Sequence, residues 1–478
     1  MDTPSLQLVM LGLAAALLSN ISRSPVWRAV VLVAASAVFL GLQLKAPIAV
    51  VPLTGFLLLG YAGLLLVERS GARWLGASLL CVILAYIWLK KYTVLPDGAF
   101  LRFPYLTVGL SYIFFRVLHL IIDTGESDER RHVGFASYLL YTMNFTTLVS
   151  GPIQRFDEFS RDQFADEPIR LGPQVVGLQL ERIVRGFFKV TVLAMLLHGL
   201  QEDAVAQLAQ PISPGLRMYA AFRLFVLYPF FLYANFSGYI DIVIAVARLL
   251  RVQLPENFNR PFSASSFLDF WNRWHITLST WLRIYVYNPL LATLMRRISS
   301  TSVQPFLAVF CFFVTFFLIG IWHGRTSEFA VFGVLQGVGV ASNKLWQLSL
   351  AKQLGSKRYR ALAKNVSYIA FGRGLTFAWF AFTLLWFWAD WEHIHGIFRA
   401  LSVIGWATVW LIIWLCMTAV LSGWEWLRAR LLSITVGGQV CLTSRYARVV
   451  YASALGLAAF VISVLLNQAA PDIVYKAF

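Results

Sequence analysis

The chain has 478 residues, of which 59% are hydrophobic and only 13% are charged. A soluble domain carries roughly 25% charged residues, so this composition excludes a protein whose whole surface faces water. The formal net charge of +17 raises the possibility of a nucleic-acid partner. The basic residues fall in short segments between apolar runs, however, as the positive-inside rule of membrane proteins requires. We therefore expect membrane lipids as partners, and no nucleic acid.

Long apolar runs recur along the chain without the alternation typical of strands. A helical span needs about 20 mostly apolar residues, so the runs predict an all-α polytopic membrane protein with roughly 11–13 membrane helices. We expect one integral-membrane domain over residues 1–478. The first run lacks the basic n-region of a signal peptide, so we expect it to be retained. In chain order the runs cover residues 5–20, 26–43, 47–67, 73–89, 104–122, 133–150, 184–200, 216–250 (one long span or two short ones), 304–322, 327–346, 366–389, 401–422 and 448–467.

The segment 343–365, "NKLWQLSLAKQLGSKRYRALAKN", carries six basic residues and no acidic residue. We interpret it as a cytoplasmic loop, since basic residues concentrate on that side of the membrane. Attraction to anionic lipid headgroups explains its charge more simply than a nucleic-acid partner does. The six residues are Lys344, Lys352, Lys357, Arg358, Arg360 and Lys364.

The stretch "FLDFWNRWHITLSTWLR" places one histidine, His275, within a row of aromatic residues. Bulky residues recur from Phe267 to Tyr285 at intervals of four and three, which predicts a helix with one apolar stripe. Its other faces are too polar for a lipid-facing span, so we expect it at the membrane interface or around a polar cavity. On this evidence alone His275 is either a functional group or a structural histidine that a neighbouring hydroxyl or amide satisfies.

A second histidine, His323, ends the apolar run Phe306–Trp322. An ionisable residue within a membrane segment is a functional candidate by default. A dry site keeps an imidazole neutral near pH 7, and a neutral imidazole can accept a proton from an alcohol as a general base. If His275 and His323 meet from different helices, they form a centre suited to acyl transfer to a hydroxyl group. The remaining histidines are interpreted as structural: His119, His132, His198, His393 and His395.

Small residues and cysteines complete the pattern. Gly320, Gly324, Gly333 and Gly337 permit close approach of two helix backbones, or they leave room for a ligand. The cysteines have no paired spacing, so we expect neither a disulfide framework nor a metal site and interpret them as core residues. They are Cys81, Cys311, Cys416 and Cys441.

Three blocks carry a family resemblance. The segment from Tyr233 to Leu290, "YANFSGYIDIVIAVARLLRVQLPENFNRPFSASSFLDFWNRWHITLSTWLRIYVYNPL", resembles the signature region of bacterial membrane-bound O-acyltransferases. "GIWHG" at Gly320–Gly324 resembles the second signature of that family, and "LVSGPIQRFDEF" at Leu148–Phe159 resembles its upstream segment. The blocks stand in the family's order within a core from about residue 112 to residue 337. The resemblance is greatest to the branch that acylates extracytoplasmic polymers, as in alginate O-acetylation and D-alanylation of teichoic acids.

The resemblance implies a ring of tilted helices around a central tunnel, with additional interfacial or re-entrant helices. It makes His323 the match to the family's catalytic histidine and His275 the match to its supporting histidine. It also implies substrate contacts near these residues. From Asn259 and Arg260 alone, a capped, positively charged loop is an equally good interpretation. The candidate substrate-binding residues are Asn259, Arg260, Trp274, Ser279, Arg283, Trp322 and Arg325.

Three positions depart from the family pattern. Ile284 stands where many members have aspartate, Arg325 where a small residue is usual, and Gln336 where histidine is frequent. Arg325 is the departure with the clearest chemistry, since a cation beside a base disfavours protonation of that base and can contact an anionic group. These changes leave the identity of donor and acceptor open.

By this resemblance, the chain is an O-acyltransferase of the bacterial cytoplasmic (inner) membrane. An acyl thioester, either acetyl-CoA or an acyl carrier protein, approaches from the cytoplasm, and no cofactor is permanently bound. The acceptor is a hydroxyl of an extracytoplasmic polysaccharide, or of a periplasmic or extracellular acyltransferase partner. Acetyl transfer is the first expectation and D-alanyl transfer to teichoic acid is the alternative. A transporter or flippase, or a membrane scaffold of an exporter complex, is the competing class. A transporter would show two related halves, and the sequence has no such internal symmetry.

Overall fold

A computed structural model describes residues 6–44, 46–127, 132–436, 439–440, 444–466 and 471. Within this part the chain forms two compact units. The first unit comprises the described residues up to Val190 together with Phe236–Glu256, and the second comprises Thr191–Asn235 and the described residues from Asn257 to 466. Both units are almost wholly helical, which confirms the predicted fold class. That the whole chain acts as one domain stays a prediction.

The first unit contains nine complete helices. A 36-residue helix, α11 (Pro214–Leu249), begins in the second unit and ends in the first. The nine helices are α1 (Leu6–Ser19), α2 (Pro25–Gly41), α3 (Val51–Ser70), α4 (Leu75–Leu89), α5 (Leu110–Glu126), α6 (Phe135–Thr142), α7 (Phe145–Leu148), α8 (Phe156–Gln163) and α9 (Pro173–Phe188).

Within this unit α9 packs closely against α11. A Cβ atom on Gly186 would lie 2.6 Å from the carbonyl oxygen of Gly238, and one on Gly238 would lie 2.8 Å from that of Gly186. This crossing lets three cations of the Pro173–Val190 segment, Arg182, Arg185 and Lys189, reach one buried carboxylate on α11. Arg182 Nε donates to Asp241 Oδ1 at 2.9 Å, and Lys189 Nζ donates to Asp241 Oδ2 at 2.8 Å. Small residues and paired charges therefore fix these helices together, as expected where polar groups leave water.

The second unit holds the remaining helices and a two-residue antiparallel strand pair, β1 (Thr435–Val436) and β2 (Gln439–Val440). A π-helical segment, Arg283–Tyr287, separates two of its helices. The helices are α10 (Met195–Leu208), α12 (Phe267–Trp271), α13 (Ile276–Leu282), α14 (Asn288–Arg297), α15 (Gln304–His323), α16 (Ser327–Leu362), α17 (Val366–Thr383), α18 (Leu385–Trp388), α19 (Trp391–Arg399), α20 (Val403–Leu432) and α21 (Arg445–Leu466).

Seven helical stretches in the described chain are long and apolar enough to cross a membrane, and α1 and α2 are two shorter apolar helices. The first of the seven, Pro47–Leu89, itself comprises α3 and α4. The count differs from the roughly 11–13 apolar runs taken as spans because some runs are broken or interrupted by polar residues. The run 133–150 divides into α6 and α7, which are too short to span, whereas the run 216–250 forms the single helix α11.

The basic segment 343–365 is not the loop that its charge suggested. It is the second half of α16, which continues to Leu362 and bends at Gly355, where φ is 76° and ψ is 156°. Glycine adopts this left-handed conformation at little steric cost. The chain therefore changes direction inside the basic segment while keeping helical hydrogen bonds on both sides. Its placement on the cytoplasmic side stays a prediction.

Helices α15 and α16 form a tight hairpin whose contact surface consists of glycines. A Cβ atom on Gly320 would overlap the backbone of Gly333, and one on Gly333 would lie 2.6 Å from the carbonyl oxygen of Phe317. A Cβ atom on Gly337 would lie 2.8 Å from the carbonyl oxygen of Phe313. The neighbouring helix thus fills the space beside these residues, which confirms the predicted close helix approach rather than a ligand space.

This hairpin supports a stability prediction. We expect Gly320→Ala to lower the free energy of unfolding by about 1–3 kcal/mol, because the added methyl group overpacks a backbone contact. Gly423→Ala is the matched control in the helix interior of α20, where no atom lies within 4 Å of a Cβ position. That control should be neutral or stabilising by up to about 1 kcal/mol. Denaturation of the detergent-solubilised variants measures both values, and equal effects would contradict the proposed packing.

The cysteines differ in their environments. Cys311 is fully buried, as predicted for a core residue, and Cys416 is partly buried. Cys81 is exposed on α4, so its assignment to the core was wrong. A small apolar side chain can face lipid at no cost, and hydrophobicity in a membrane chain therefore does not imply burial. Cys441 lies outside the described residues.

Candidate active site

His275 interrupts the helix that the aromatic spacing predicted. The chain forms α12 up to Trp271, leaves helical geometry, and resumes as α13 at Ile276. His275 is the N-cap residue of α13 with φ 45° and ψ 52°, a left-handed backbone that non-glycine residues rarely adopt. The prediction of one continuous helix from Phe267 to Tyr285 was therefore wrong, and a π-helical segment interrupts it again after Leu282.

Asn257 holds this break in place. Its carbonyl oxygen accepts the backbone N–H of Ile276 at 3.0 Å, and its side-chain oxygen accepts the backbone N–H of Thr277 at 3.1 Å. The Thr277 hydroxyl donates to the same Oδ1 at 2.9 Å. Asn257 is completely buried, so these bonds satisfy the first free N–H groups of α13 where no water can. The sequence analysis did not select this residue as a site residue, although it begins the block "NFNRP" at residues 257–261 of the first signature region.

The same side chain orients the His275 ring. Nδ1 of His275 lies 3.3 Å from Asn257 Oδ1. The backbone N–H of Thr277 can only donate a hydrogen bond, so the Asn257 side-chain atom that it contacts is the amide oxygen and not the amide nitrogen. Oδ1 can only accept, so Nδ1 of His275 carries the proton and Nε2 is left as the basic atom of the ring. His275 is fully buried, and burial lowers the pKa of its imidazole to about 3.

His323 is the last residue of α15 and is 2% exposed. Aromatic side chains from two other helices surround it. Ring centroids lie 5.2 Å from Phe387 on α18 and 6.0 Å from Phe332 on α16, both in edge-on geometry. This apolar surrounding disfavours a charged imidazole by desolvation. The ring also lies next to the turn between α15 and α16, because His323 is the last residue of α15.

Trp322 connects the two histidines. Its indole lies 4.8 Å from the His323 ring and 6.5 Å from the His275 ring, centroid to centroid. Two buried histidines separated by 48 residues (323 − 275) are thus brought together within the second unit.

A cavity of about 390 Å³ adjoins the His275 segment. Its wall is mostly apolar, but two buried polar atoms on residues that line it, the Trp271 indole nitrogen and the Ser279 hydroxyl, have no hydrogen-bond partner among the described residues. Buried polar groups normally find partners, so this cavity suits a ligand that carries a hydrogen-bonding group. It is lined by Leu268, Trp271, Asn272, Ile276, Ser279, Thr280, Leu282, Arg283, Tyr287, Phe312, Thr315, Phe316 and Ile319.

Of the predicted substrate-binding residues, Ser279 and Arg283 line this cavity, and Trp322 lies between the histidines. Trp274 is buried in an aromatic cluster and forms an isolated β-bridge with Phe258. Asn259 and Arg325 are exposed. The assignment of all these residues to substrate binding stays a prediction.

Arg260 forms an ion pair with Glu425 of α20. Its backbone lies in the left-handed region, where it begins a short 3₁₀ turn, Pro261–Ser263. Both observations favour the alternative that this position shapes a charged loop. A direct role of Arg260 in substrate binding stays a prediction.

Two of the residues that depart from the family pattern, Gln336 and Ile284, have defined surroundings in the structure. Gln336 is completely buried, and its amide nitrogen donates to the Thr383 hydroxyl at 2.7 Å. Ile284 is 37% exposed within the π-helical segment.

The upstream block at Leu148–Phe159 lies in the first unit, where Tyr141 donates a 2.6 Å hydrogen bond to the carbonyl of Gln154. Within the described residues, no three His, Cys, Asp or Glu side chains form a group that could hold a metal ion.

Comparison with known proteins identifies the family of this chain. A model of the membrane-bound O-acyltransferase family matches residues 77–385, which contain both histidines and all three signature blocks. The chain belongs to the membrane-bound O-acyltransferase family.

Curated relatives within the membrane-bound O-acyltransferase family have several substrates in their names. The teichoic acid D-alanyltransferase of Streptococcus thermophilus is 30% identical over 263 residues, 53% of this chain and 60% of that protein. The probable alginate O-acetylase of Azotobacter vinelandii is 28% identical over 290 residues, 60% of this chain and 55% of that protein. The peptidoglycan O-acetyltransferase of Helicobacter pylori is 32% identical over 222 residues, 46% of this chain and 39% of that protein. The matched regions thus span about half the length of these relatives.

The burial of His275 predicts a pH dependence of stability. Burial places the pKa of His275 below its ordinary value of 6.5, so its contribution to stability is complete above pH 6.5 and is lost as the pH falls toward 3. We expect the melting temperature to fall on acidification through this range. His275→Asn, which tolerates the left-handed backbone, should flatten the decline, whereas His395→Asn at an exposed position should not. Parallel declines in all three proteins would contradict the prediction.

Proposed function

We propose that this chain is a membrane O-acyltransferase that moves an acyl group, in the first instance acetyl, from a cytoplasmic thioester to a hydroxyl of an extracytoplasmic polysaccharide. The observation that carries the proposal is the meeting of His275 and His323 at the Trp322 indole. Family membership and the names of the relatives support the same reaction class. The bacterial inner membrane is the setting in which such a donor and acceptor face opposite sides.

In the proposed reaction His323 is the general base. Its imidazole takes the proton of the acceptor hydroxyl while the hydroxyl oxygen attacks the thioester carbonyl carbon. The carbon–sulfur bond breaks, an ester forms, and the imidazolium returns the proton to the departing thiolate. The apolar rings of Phe332 and Phe387 favour the neutral, proton-accepting form of the base before the reaction begins.

His275 has a supporting role in this proposal. Its Nδ1 proton is committed to Asn257, so Nε2 can accept a hydrogen bond from the hydroxyl or hold it toward the thioester. The cavity beside it, with the Ser279 hydroxyl and Trp271 indole N–H on its wall, suits the polar end of a thioester or an acyl group. Holding both reactants in one geometry is itself a major source of rate enhancement.

Two donors and two acceptors are compatible with the proposed reaction. Acetyl-CoA or an acyl carrier protein supplies the thioester, and a polysaccharide or an extracytoplasmic acyltransferase partner receives the acyl group. D-alanyl transfer to teichoic acid is the second candidate, favoured by the similarity to the Streptococcus thermophilus protein. We expect the donor to distinguish the two, since D-alanyl transfer requires a carrier protein rather than coenzyme A under this proposal.

The decisive experiment follows both the thioester and the polymer. Purified protein in vesicles receives a labelled acetyl thioester, while mass spectrometry compares cell-surface polymers with and without the gene. Acyl transfer predicts release of free thiol and loss of ester groups from one polymer when the gene is removed. A transporter would move its cargo and leave the thioester intact, and a scaffold would retain function after both histidines are replaced. Either of those results would reject the proposal.

A further inference from the structure

The second half of α16 forms one wall of a groove that the proposed reaction does not use. The groove has a volume of about 680 Å³ and lies between α16 and α17, with Trp414 of α20 also on its wall. Ligand sites of roughly 300–1,000 Å³ are typical for small molecules. Residues that line this α16–α17 groove include Ser342, Trp346, Tyr359, Ala363, Tyr368 and Phe371.

The bend at Gly355 brings both halves of α16 to this groove. Trp346 and Ser342 line it before the bend, and Tyr359 and Ala363 line it after the bend. The Trp346 indole N–H donates to the Tyr368 hydroxyl at 3.2 Å, which joins α16 to α17. The groove is therefore formed by packed helices that a hydrogen bond connects.

The groove has two chemically different parts. Its long wall is apolar and partly open: Trp346 is 55% exposed and Phe371 is 49% exposed. At the bend, Tyr359 and Ala363 line the groove one helical turn apart, and each is followed directly by an exposed cation, Arg360 and Lys364. An apolar channel with cations at one end matches a molecule with an alkyl chain and an anionic head.

The charge at this end is uncompensated within its own segment. Lys357, Arg358, Arg360 and Lys364 are all exposed, and the segment 343–365 contains no acidic residue. Aromatic rings combined with Lys and Arg at a helix end are typical of the boundary between hydrocarbon and headgroups. Helix α17 itself belongs to a stretch that is long and apolar enough to span a membrane.

We propose that the α16–α17 groove binds one anionic phospholipid, with an acyl chain along Trp346 and Phe371 and the phosphate at the cations of 357–364. The proposal is independent of acyl transfer, since it concerns neither histidine. A neutral phospholipid could fill the apolar wall, but it would not neutralise the cations. An anionic lipid has a net negative charge at its headgroup, and each basic residue near that headgroup strengthens the electrostatic attraction.

The test uses the purified full chain with defined lipids. Native mass spectrometry counts lipids retained from equal amounts of phosphatidylglycerol and phosphatidylcholine. We expect preferential retention of phosphatidylglycerol, and a loss of about 30-fold in the variant Lys357→Gln/Arg360→Gln, since each cation near a lipid surface contributes about 1 kcal/mol. The matched control is Arg69→Gln/Arg73→Gln, which removes two exposed cations from another part of the chain and should leave retention unchanged.

A second pair of variants tests the groove separately from its charge. Ser342→Trp places a large ring in the groove and should reduce phosphatidylglycerol retention while every cation remains. Ser349→Trp, exposed on the same helix but outside the groove, is its control. Both positions are on the surface, so a melting curve without lipid should match that of the unsubstituted protein.

Several results would overturn the proposal. Equal retention of the two lipids, or equal losses in the test and control pairs, would show unspecific attachment. Unchanged retention in Ser342→Trp would mean that the headgroup binds the surface and the groove plays no part. Capture of an acidic carrier protein by the same cations, with no lipid preference, would identify a protein-docking surface instead. If the double variant fails to fold, the lipid preference of the unsubstituted protein and the Ser342→Trp result still decide the question.

Discussion

His323→Ala should abolish acyl transfer, lowering the turnover rate by about 10³-fold or more, since general-base catalysis contributes roughly 10²–10⁴-fold and positioning is lost with it. The reason is local: His323 ends α15 among the aromatic rings of Trp322, Phe332 and Phe387. His275 does not replace it under this proposal, because its ring lies farther from Trp322, at 6.5 Å, and its Nδ1 is bound to Asn257. Release of thiol from a labelled thioester, measured with and without acceptor, reports the loss.

Two controls separate chemistry from folding in this experiment. His323→Gln fills more of the buried space than alanine and keeps hydrogen-bonding groups, but it cannot accept a proton at neutral pH, so it should be as inactive as His323→Ala. His395→Ala removes an exposed histidine from α19 and should leave activity unchanged. Melting curves of the solubilised proteins should coincide to within a few degrees. Activity in either His323 variant, or loss of the folded state in both, would remove His323 from the reaction.

Asn257→Ala is expected to have the largest effect on stability. Its buried Oδ1 accepts from the backbone N–H of Thr277, the hydroxyl of Thr277 and Nδ1 of His275. Removal of the acceptor leaves three buried donors, each costing about 1–3 kcal/mol, so we expect a loss of about 3 kcal/mol or more in the free energy of unfolding. Activity should fall as well, because the left-handed backbone and the tautomer of His275 lose their common support.

The matched control for this prediction is Asn365→Ala. Asn365 is exposed and accepts one backbone N–H, that of Tyr368, as the N-cap of α17. Loss of a helix N-cap costs typically about 1 kcal/mol, and nothing in that contact touches the histidines. Denaturation measures both variants, and thiol release is measured at a temperature where both remain folded. If Asn257→Ala is no less stable than Asn365→Ala, the Asn257 side chain does not support the site as described.

The aromatic spacing around His275 predicted the buried face of this segment but not its backbone. Phe267, Trp271 and Trp274 are indeed buried. The continuous helix fails because Asn257, 18 residues before His275, binds the N–H groups that a continuous helix would use internally. A periodicity rule considers only neighbours along the chain, so it cannot detect a partner that arrives from a distant turn.

Other features were predictable because their cause is local. The glycines near His323 indicated close helix packing, and the α15–α16 hairpin confirms it at Gly320 and Gly333. Sequence reasoning also selected the two histidines that the structure brings together. It overlooked Asn257 and Phe387, since an amide in a loop and one phenylalanine among 38 carry no distinguishing signal. The "NFNRP" block was the available indication for Asn257.

The glycine contacts of the α15–α16 hairpin have a consequence for the mobility of His323. The two backbones are in contact from Gly337 to Gly320, so the imidazole at the end of α15 cannot shift without moving α16 as well. A larger substrate would therefore have to find room at the walls of the cavity beside Ser279 rather than by displacing His323.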